Sequence, residues 1–154
     1  MTPRRSNDTS SDPSPKREFS AGGVVVRGDQ VVVIVPVKRD SAGNRVLALP
    51  KGHPDGSETA EAAALREVRE EAGVEGELVG KLGDVRYWYQ RHGRRVAKLV
   101  TFFLVEYTSG DTADHDDEVE EAYWIPLAKA ARSLTYAGER EMVVRALSQT
   151  ASDR

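Results

Sequence analysis

Between Thr59 and Gly73 runs A-E-A-A-A-L-R-E-V-R-E-E-A, a stretch built of strong helix formers. No other segment constrains the fold as tightly. Thr59 is placed to cap its start, Glu61 lies in the first turn, and Gly73 occupies the position where a left-handed residue ends a helix. On a helical wheel, Ala60, Ala64, Leu65, Val68 and Ala72 gather on one packing face. Glu67 and Glu71 fall only about 40° apart on one stripe, and with Glu70 they fill an arc of about 100° at the edge of that face. Small residues beside them let another element approach closely.

Such crowding costs a few tenths of a kcal/mol per like-charged pair and raises carboxylate pKa values unless a cation compensates. A solvated acidic face is the ordinary meaning of E-x-x-E-E. The alternative is a site for a hard divalent cation. Carboxylate oxygens with no cysteine and no paired histidine suit Mg²⁺ or Mn²⁺ rather than zinc.

The flanking sequence decides what the helix packs against. Phe19 to Arg27 and Val31 to Lys38 are β-branched runs around Gly28-Asp29-Gln30, which predicts a hairpin. Asn44 to Pro50 predicts a third strand. After the helix, Leu78 to Gln90 and Arg95 to Tyr107 flank the turn Arg91-His92-Gly93-Arg94. Ala122 to Ile125 predicts a last strand, and Leu127 to Arg132 and Tyr136 to Ser148 predict helices. Strands enclosing a central helix, with further strands and a terminal helix after it, predict an α/β fold whose mixed sheet is covered on both faces.

Composition bounds the rest. Apolar residues at 39% and charged residues at 31% suit a single globular domain, expected over 18–148. Residues 1–17 are polar apart from Met1 and read as a disordered tail, with 149–154 as a C-terminal tail. The longest apolar run, Val31 to Val37, cannot span a bilayer, and no apolar segment follows the early arginines, so neither a membrane span nor a secretory signal is expected. With no cysteine, disulfides, thiolate metal sites and cysteine nucleophiles are excluded, and a cytoplasmic setting is expected. A net charge of −3 makes nucleic acid an unexpected partner, and the sequence leaves the oligomeric state open.

From Gly52 the chain reads G-x₅-E-x₇-R-E-V-R-E-E-A-G-V through Val74. This resembles the Nudix box of the Nudix hydrolases at every defined position. The likeness extends to Gly22-Gly23, to Leu49-Pro50-Lys51-Gly52-His53, and to Trp124-Ile125-Pro126. It implies a Nudix-type α/β/α sandwich in which the box forms a loop–helix–loop. It implies divalent-metal-dependent hydrolysis of a pyrophosphate bond in a nucleoside diphosphate linked to some moiety X. By the family's pattern Glu67 and Glu71 are metal ligands, Glu70 a ligand or partner in the same cluster, and the Gly52 carbonyl a further oxygen. Glu58 and Arg66 resemble the family's structural pair, and Gly73 its helix stop. Phosphoanhydride cleavage needs positioning and charge neutralisation above all, with one acid to accept a proton. The box glutamates Glu70 and Glu71 are candidates.

An acid from a loop is the other source. Asp111 to Glu121 holds seven acids in eleven residues, and Glu118 best matches a further family carboxylate, with Glu120 as substitute. Lys51, Lys98 and Tyr87 are candidate substrate-binding residues. Tyr87 and Lys98 lie in a segment, Arg86 to Lys98, that interleaves five cations with aromatic rings. Alternation along a strand means Arg86, Trp88 and Gln90 cannot share a face with Tyr87 and Tyr89. His53, His92 and His115 lack ligand spacing, and only His53 is near the box. Within the family, the aromatic-rich strand and L-P-K-G-H look most like the diadenosine polyphosphate branch. A nucleoside triphosphate pyrophosphohydrolase of the pool-sanitising type and a non-catalytic nucleotide sensor are the alternatives.

Overall fold

The computed structural model describes residues 16–152. Of the expected N-terminal tail only Lys16 and Arg17 lie among these residues, and both belong to the first strand. Strand β1 (Lys16–Arg27) turns at Gly28-Asp29 into β2 (Gln30–Pro36). Strand β3 is the short pair Lys51–Gly52, followed by helix α1 (Ala60–Ala72). Strands β4 (Val74–Arg91) and β5 (Arg94–Gly110) form the long hairpin, and β6 (Val119–Pro126) leads to α2 (Leu127–Ser133) and α3 (Ala137–Ser152). The last helix thus continues past Ser148, the expected end of the domain.

The strands form one mixed sheet of six in the order β4-β5-β1-β2-β6, with β3 on β1. β1 runs parallel to β5 from Lys16↔Val96 to Val26↔Glu106, whereas it pairs with β2 only at Val26↔Val31 and Arg27↔Gln30. Beyond those two pairs β1 and β2 separate, and the segment before the helix fills the wedge. It is not the continuous strand expected over Asn44 to Pro50. Ala48 bridges to Ile34 of β2, and only Lys51 and Gly52 pair with β1. Pro50 between them has no N–H to give to a ladder, although its carbonyl accepts the Gly23 N–H at 3.2 Å.

Alternate residues of the central strands feed two cores. Val24, Val26, Val31, Val33, Phe102 and Leu104 pack with Leu127, Leu134, Met142 and Ala146 of α2 and α3. Ala21, Val25, Val32, Ile34, Phe103 and Val105 pack with Ala63, Ala64, Val68 and Ala72 of α1. Covering both faces is why V-V-V-I-V is apolar without alternation. Helix α1 is held by local signals: Thr59 Oγ1 accepts the Ala62 N–H at 3.1 Å, and Gly73 at φ 77° sends its N–H to the Arg69 carbonyl. It lies so close to β1 that a side chain at Gly23 would strike Val68. His92 (φ 52°) and Gly93 (φ 76°) form the two-residue turn of the β4–β5 hairpin. No helix of the described residues is long and apolar enough to cross a membrane.

Candidate active site

The wedge between β1 and β2 puts the Lys51–Gly52 backbone directly against the carboxylate stripe of α1. The Lys51 N–H donates to Glu71 Oε1 at 2.9 Å, and a Cβ at Gly52 would fall on the Glu67 carboxylate. Any side chain there would displace the Glu67 carboxylate. These contacts set the Lys51–Gly52 backbone beside Glu67 and Glu71, oxygen donors of the kind a hard cation prefers.

Arg66 organises this stripe. Its guanidinium grips Glu58 through Nε and Nη2 at 2.9 and 3.0 Å, and Nη2 also reaches the His53 carbonyl at 2.8 Å. Nη1 donates to both Glu67 and Glu70 at 3.0 Å. One planar cation therefore ties the loop to the helix and bridges two box carboxylates through a single nitrogen. As the side chains stand, no three His, Cys, Asp or Glu groups among the described residues are gathered for a metal ion. The reason is visible in the contacts: Arg66 draws off Glu67 and Glu70, while the Lys51 amide takes Glu71.

Burial disfavours the charge of Glu67 and Glu71 all the same. Burial pushes the Glu71 carboxyl up to about 7, against the pull of the Lys51 N–H and ammonium, with Glu67 and Asp116 adding repulsion. Burial also raises Glu67, partly offset by Arg66, and Glu70 and Glu118 raise it further. A divalent cation would supply the missing charge. Donor chemistry, the cradle at Gly52 and the raised carboxyls all fit one.

The acidic loop reaches the same place. The Asp116 N–H donates to the Glu70 carbonyl at 2.8 Å, and a Cβ at Gly73 would strike the Asp111 carbonyl. Glu118 is held through its backbone, donating to Asp116 Oδ1 at 3.1 Å and accepting the Val37 N–H at 2.9 Å. Its charge acts on Glu67 and that of Asp116 on Glu71, so the loop contributes two nearby acids where the sequence suggested one. Glu120, the substitute, points elsewhere and pairs with Arg39 and Arg45 at 3.5 and 3.8 Å.

The three expected substrate residues separate. Lys51 Nζ sits 3.0 Å from Glu139 Oε2, and the Tyr87 hydroxyl donates to the same oxygen at 2.6 Å. Both are therefore engaged inside the protein. The Lys98 side chain makes no hydrogen bond or ion pair with any described residue, and burial, with Lys51 and Lys38 nearby, lowers its pKa against the pull of Glu18 and Glu71. On the opposite face of the hairpin Trp88 is exposed beneath the Arg95 guanidinium, 4.1 Å from its ring centroid, as strand alternation requires.

Glu139 is the residue the sequence did not reveal. Its signal was present: Glu139, Met142, Val143 and Ala146 follow i, i+3, i+4, i+7 and are all buried, so an acid stands on the apolar stripe of α3.

Known proteins are similar to this chain. The chain is 40% identical over 130 residues to the MutT4 protein of Mycobacterium tuberculosis, covering 81% of this chain and 52% of that one. It is 35% identical over 98 residues to the 8-oxo-(d)GTP phosphatase of Mycolicibacterium smegmatis, covering 64% of this chain and 29% of that protein. The chain thus spans about half the length of the first relative and less than a third of the second. A solved NUDIX hydrolase structure from Nitrosomonas europaea superimposes with a TM-score of 0.72 at 18% identity, over 87% of this chain and 90% of that one. The NUDIX domain model matches residues 16–146, nearly the whole of the described fold, and the chain belongs to the Nudix hydrolase family.

Proposed function

We propose that this chain is a Mg²⁺-dependent pyrophosphohydrolase, able to use Mn²⁺, that cuts a phosphoanhydride bond of a nucleoside diphosphate linked to X. One observation carries the reading: Glu67 and Glu71 of α1 are packed against the Lys51–Gly52 backbone, where burial disfavours the charge of both. Glu67, Glu70, Glu71 and the Gly52 carbonyl would hold the metal. When bound, it would neutralise phosphate charge and lower the pKa of a coordinated water. Arg66 keeps the loop carrying Gly52 registered on the helix through Glu58 and the His53 carbonyl. Glu118, whose charge acts on Glu67, would accept the proton of the attacking water, with Glu70 and Glu71 as the other candidates.

Two identities of X have support. The name of the Mycolicibacterium relative favours a nucleoside triphosphate. Lys98 favours a dinucleoside polyphosphate, since a half-buried cation whose side chain has no direct partner among the described residues gains from a further phosphate. Engagement of Lys51 by Glu139 shortens the run of free cations and brings the two readings closer than the sequence implied. Chromatographic product analysis on dinucleoside substrates of three to six phosphates, beside normal and oxidised nucleoside triphosphates, separates them.

Lys98→Ala is expected to raise KM for tetra- and longer polyphosphates about tenfold, the scale of one charge-assisted contact, and for nucleoside triphosphates by less. Mn²⁺ affinity should not change. An unaltered KM on every substrate would remove Lys98 from phosphate recognition.

A further inference from the structure

Three polar groups from distant parts of the chain converge on the carboxylate of Glu139, which is fully buried. Oε1 accepts the Leu49 N–H at 2.8 Å, and Oε2 accepts the Tyr87 hydroxyl at 2.6 Å and lies 3.0 Å from Lys51 Nζ. The Lys51 side chain is largely enclosed as well, at 16% exposure. Burying a carboxylate is costly unless each oxygen is partnered, and here each is. Glu139 stands in the first turn of α3, where the helix dipole favours an anion. Tyr136 completes the surroundings, its ring edge-on to Tyr87 and 6.0 Å from Lys51 Nζ.

Two of these bonds grip one short segment. Leu49 is held by its N–H and Lys51 by its ammonium, with Pro50 between them. The same Lys51 gives its backbone N–H to Glu71, and the next residue is Gly52, against Glu67. A continuous path therefore runs from α3, through one tripeptide, to the carboxylates on the other side of the sheet. We propose that Glu139 is a positioning residue for the metal site: it fixes the Leu49–Lys51 segment so that the Lys51 amide and the Gly52 carbonyl meet the α1 carboxylates in register. The inference rests on the metal role proposed for those carboxylates. Outer partners that orient metal ligands change affinity or activity by roughly 10- to 100-fold when lost.

Two measurements on the metal-free chain test this: Mn²⁺ affinity from the EPR signal of free Mn²⁺, and hydrogen exchange at the Lys51 amide by NMR. Glu139→Gln should weaken Mn²⁺ binding by at least about tenfold and speed exchange at Lys51 by a similar factor. Met142→Ala is the control, because Met142 is buried on the same stripe and packs in the apolar core. It should lower the melting temperature and leave both readouts unchanged. Should Glu139→Gln fail to fold, Glu139→Asp keeps the charge on a side chain too short to hold Leu49 and Lys51 together, and the same results are expected. Unchanged Mn²⁺ affinity with full protection at Lys51 in either folded variant would overturn the proposal, as would a Met142→Ala chain showing both effects. If the unmodified chain binds no Mn²⁺, the metal reading fails, while the exchange measurement still decides whether Glu139 fixes Lys51.

Discussion

Glu71→Gln is expected to lower kcat by at least roughly 10²-fold, the scale of losing one electrostatic or acid–base contributor in a pyrophosphate-cleaving site. Glu71 accepts the Lys51 N–H and lies where burial most disfavours its charge. Glutamine keeps an oxygen for that N–H and gives up the negative charge. The metal-free fold should therefore gain stability. With its carboxyl pushed up to about 7 from an ordinary 4.5, the folded chain binds this proton more tightly than the unfolded chain does. The ionised group opposes folding above about pH 7, by on the order of 3 kcal/mol, and this opposition fades as pH falls through 7 toward 4.5. Thermal unfolding of the metal-free protein near pH 8 should show Glu71→Gln melting above the unmodified chain, with the difference closing toward about pH 5. Near-normal turnover in Glu71→Gln, alongside loss of turnover in Glu58→Gln, would reverse the roles given to these two acids.

Gly52→Ala is expected to cost nearly as much activity for a different reason. The new methyl group would occupy the place of the Glu67 carboxylate, the movable end of a flexible side chain. Glu67 can swing aside, so the fold should survive with little change in melting temperature. What is lost is the seat of the Glu67 carboxylate against the Gly52 backbone, and Mn²⁺ affinity and kcat should each fall by roughly 10- to 100-fold. The contrast with Gly22 is instructive. There a Cβ would meet the Pro50 carbonyl, the Lys51 Cβ and the Phe102 ring, none of which can move away cheaply. Titration with Mn²⁺ and a melting curve on the same sample distinguish a lost ligand geometry from a lost fold.

Elements fixed by neighbouring residues were legible in the chain. Thr59 and Gly73 bound the helix as their chemistry dictates, and the Arg91 to Arg94 turn forms where strand alternation ends. The carboxylate stripe was legible too, because its periodicity is a property of one helix. Contacts between remote segments were not. Leu49 and Glu139 are 90 positions apart, and nothing local to Lys51 announces that its ammonium is already balanced. The Asn44 to Pro50 segment has strand-like residues but lies where β1 and β2 diverge, and only the sheet as a whole imposes that divergence. The loop acids illustrate the same boundary. Their number is plain in the sequence, whereas Arg39 and Arg45 decide that Glu120 turns away, and the hydrogen bond from the Asp116 N–H to the Glu70 carbonyl brings the loop against the box.

Metal-dependent turnover is the most direct measurement. A panel of nucleoside triphosphates and dinucleoside polyphosphates is incubated with the protein before and after exhaustive chelation, and the products are identified by chromatography. Turnover is expected only with Mg²⁺ or Mn²⁺, should vanish with chelator, and should return when the metal is restored. Full turnover after exhaustive chelation would contradict hydrolysis at a divalent-metal site formed by Gly52, Glu67, Glu70 and Glu71.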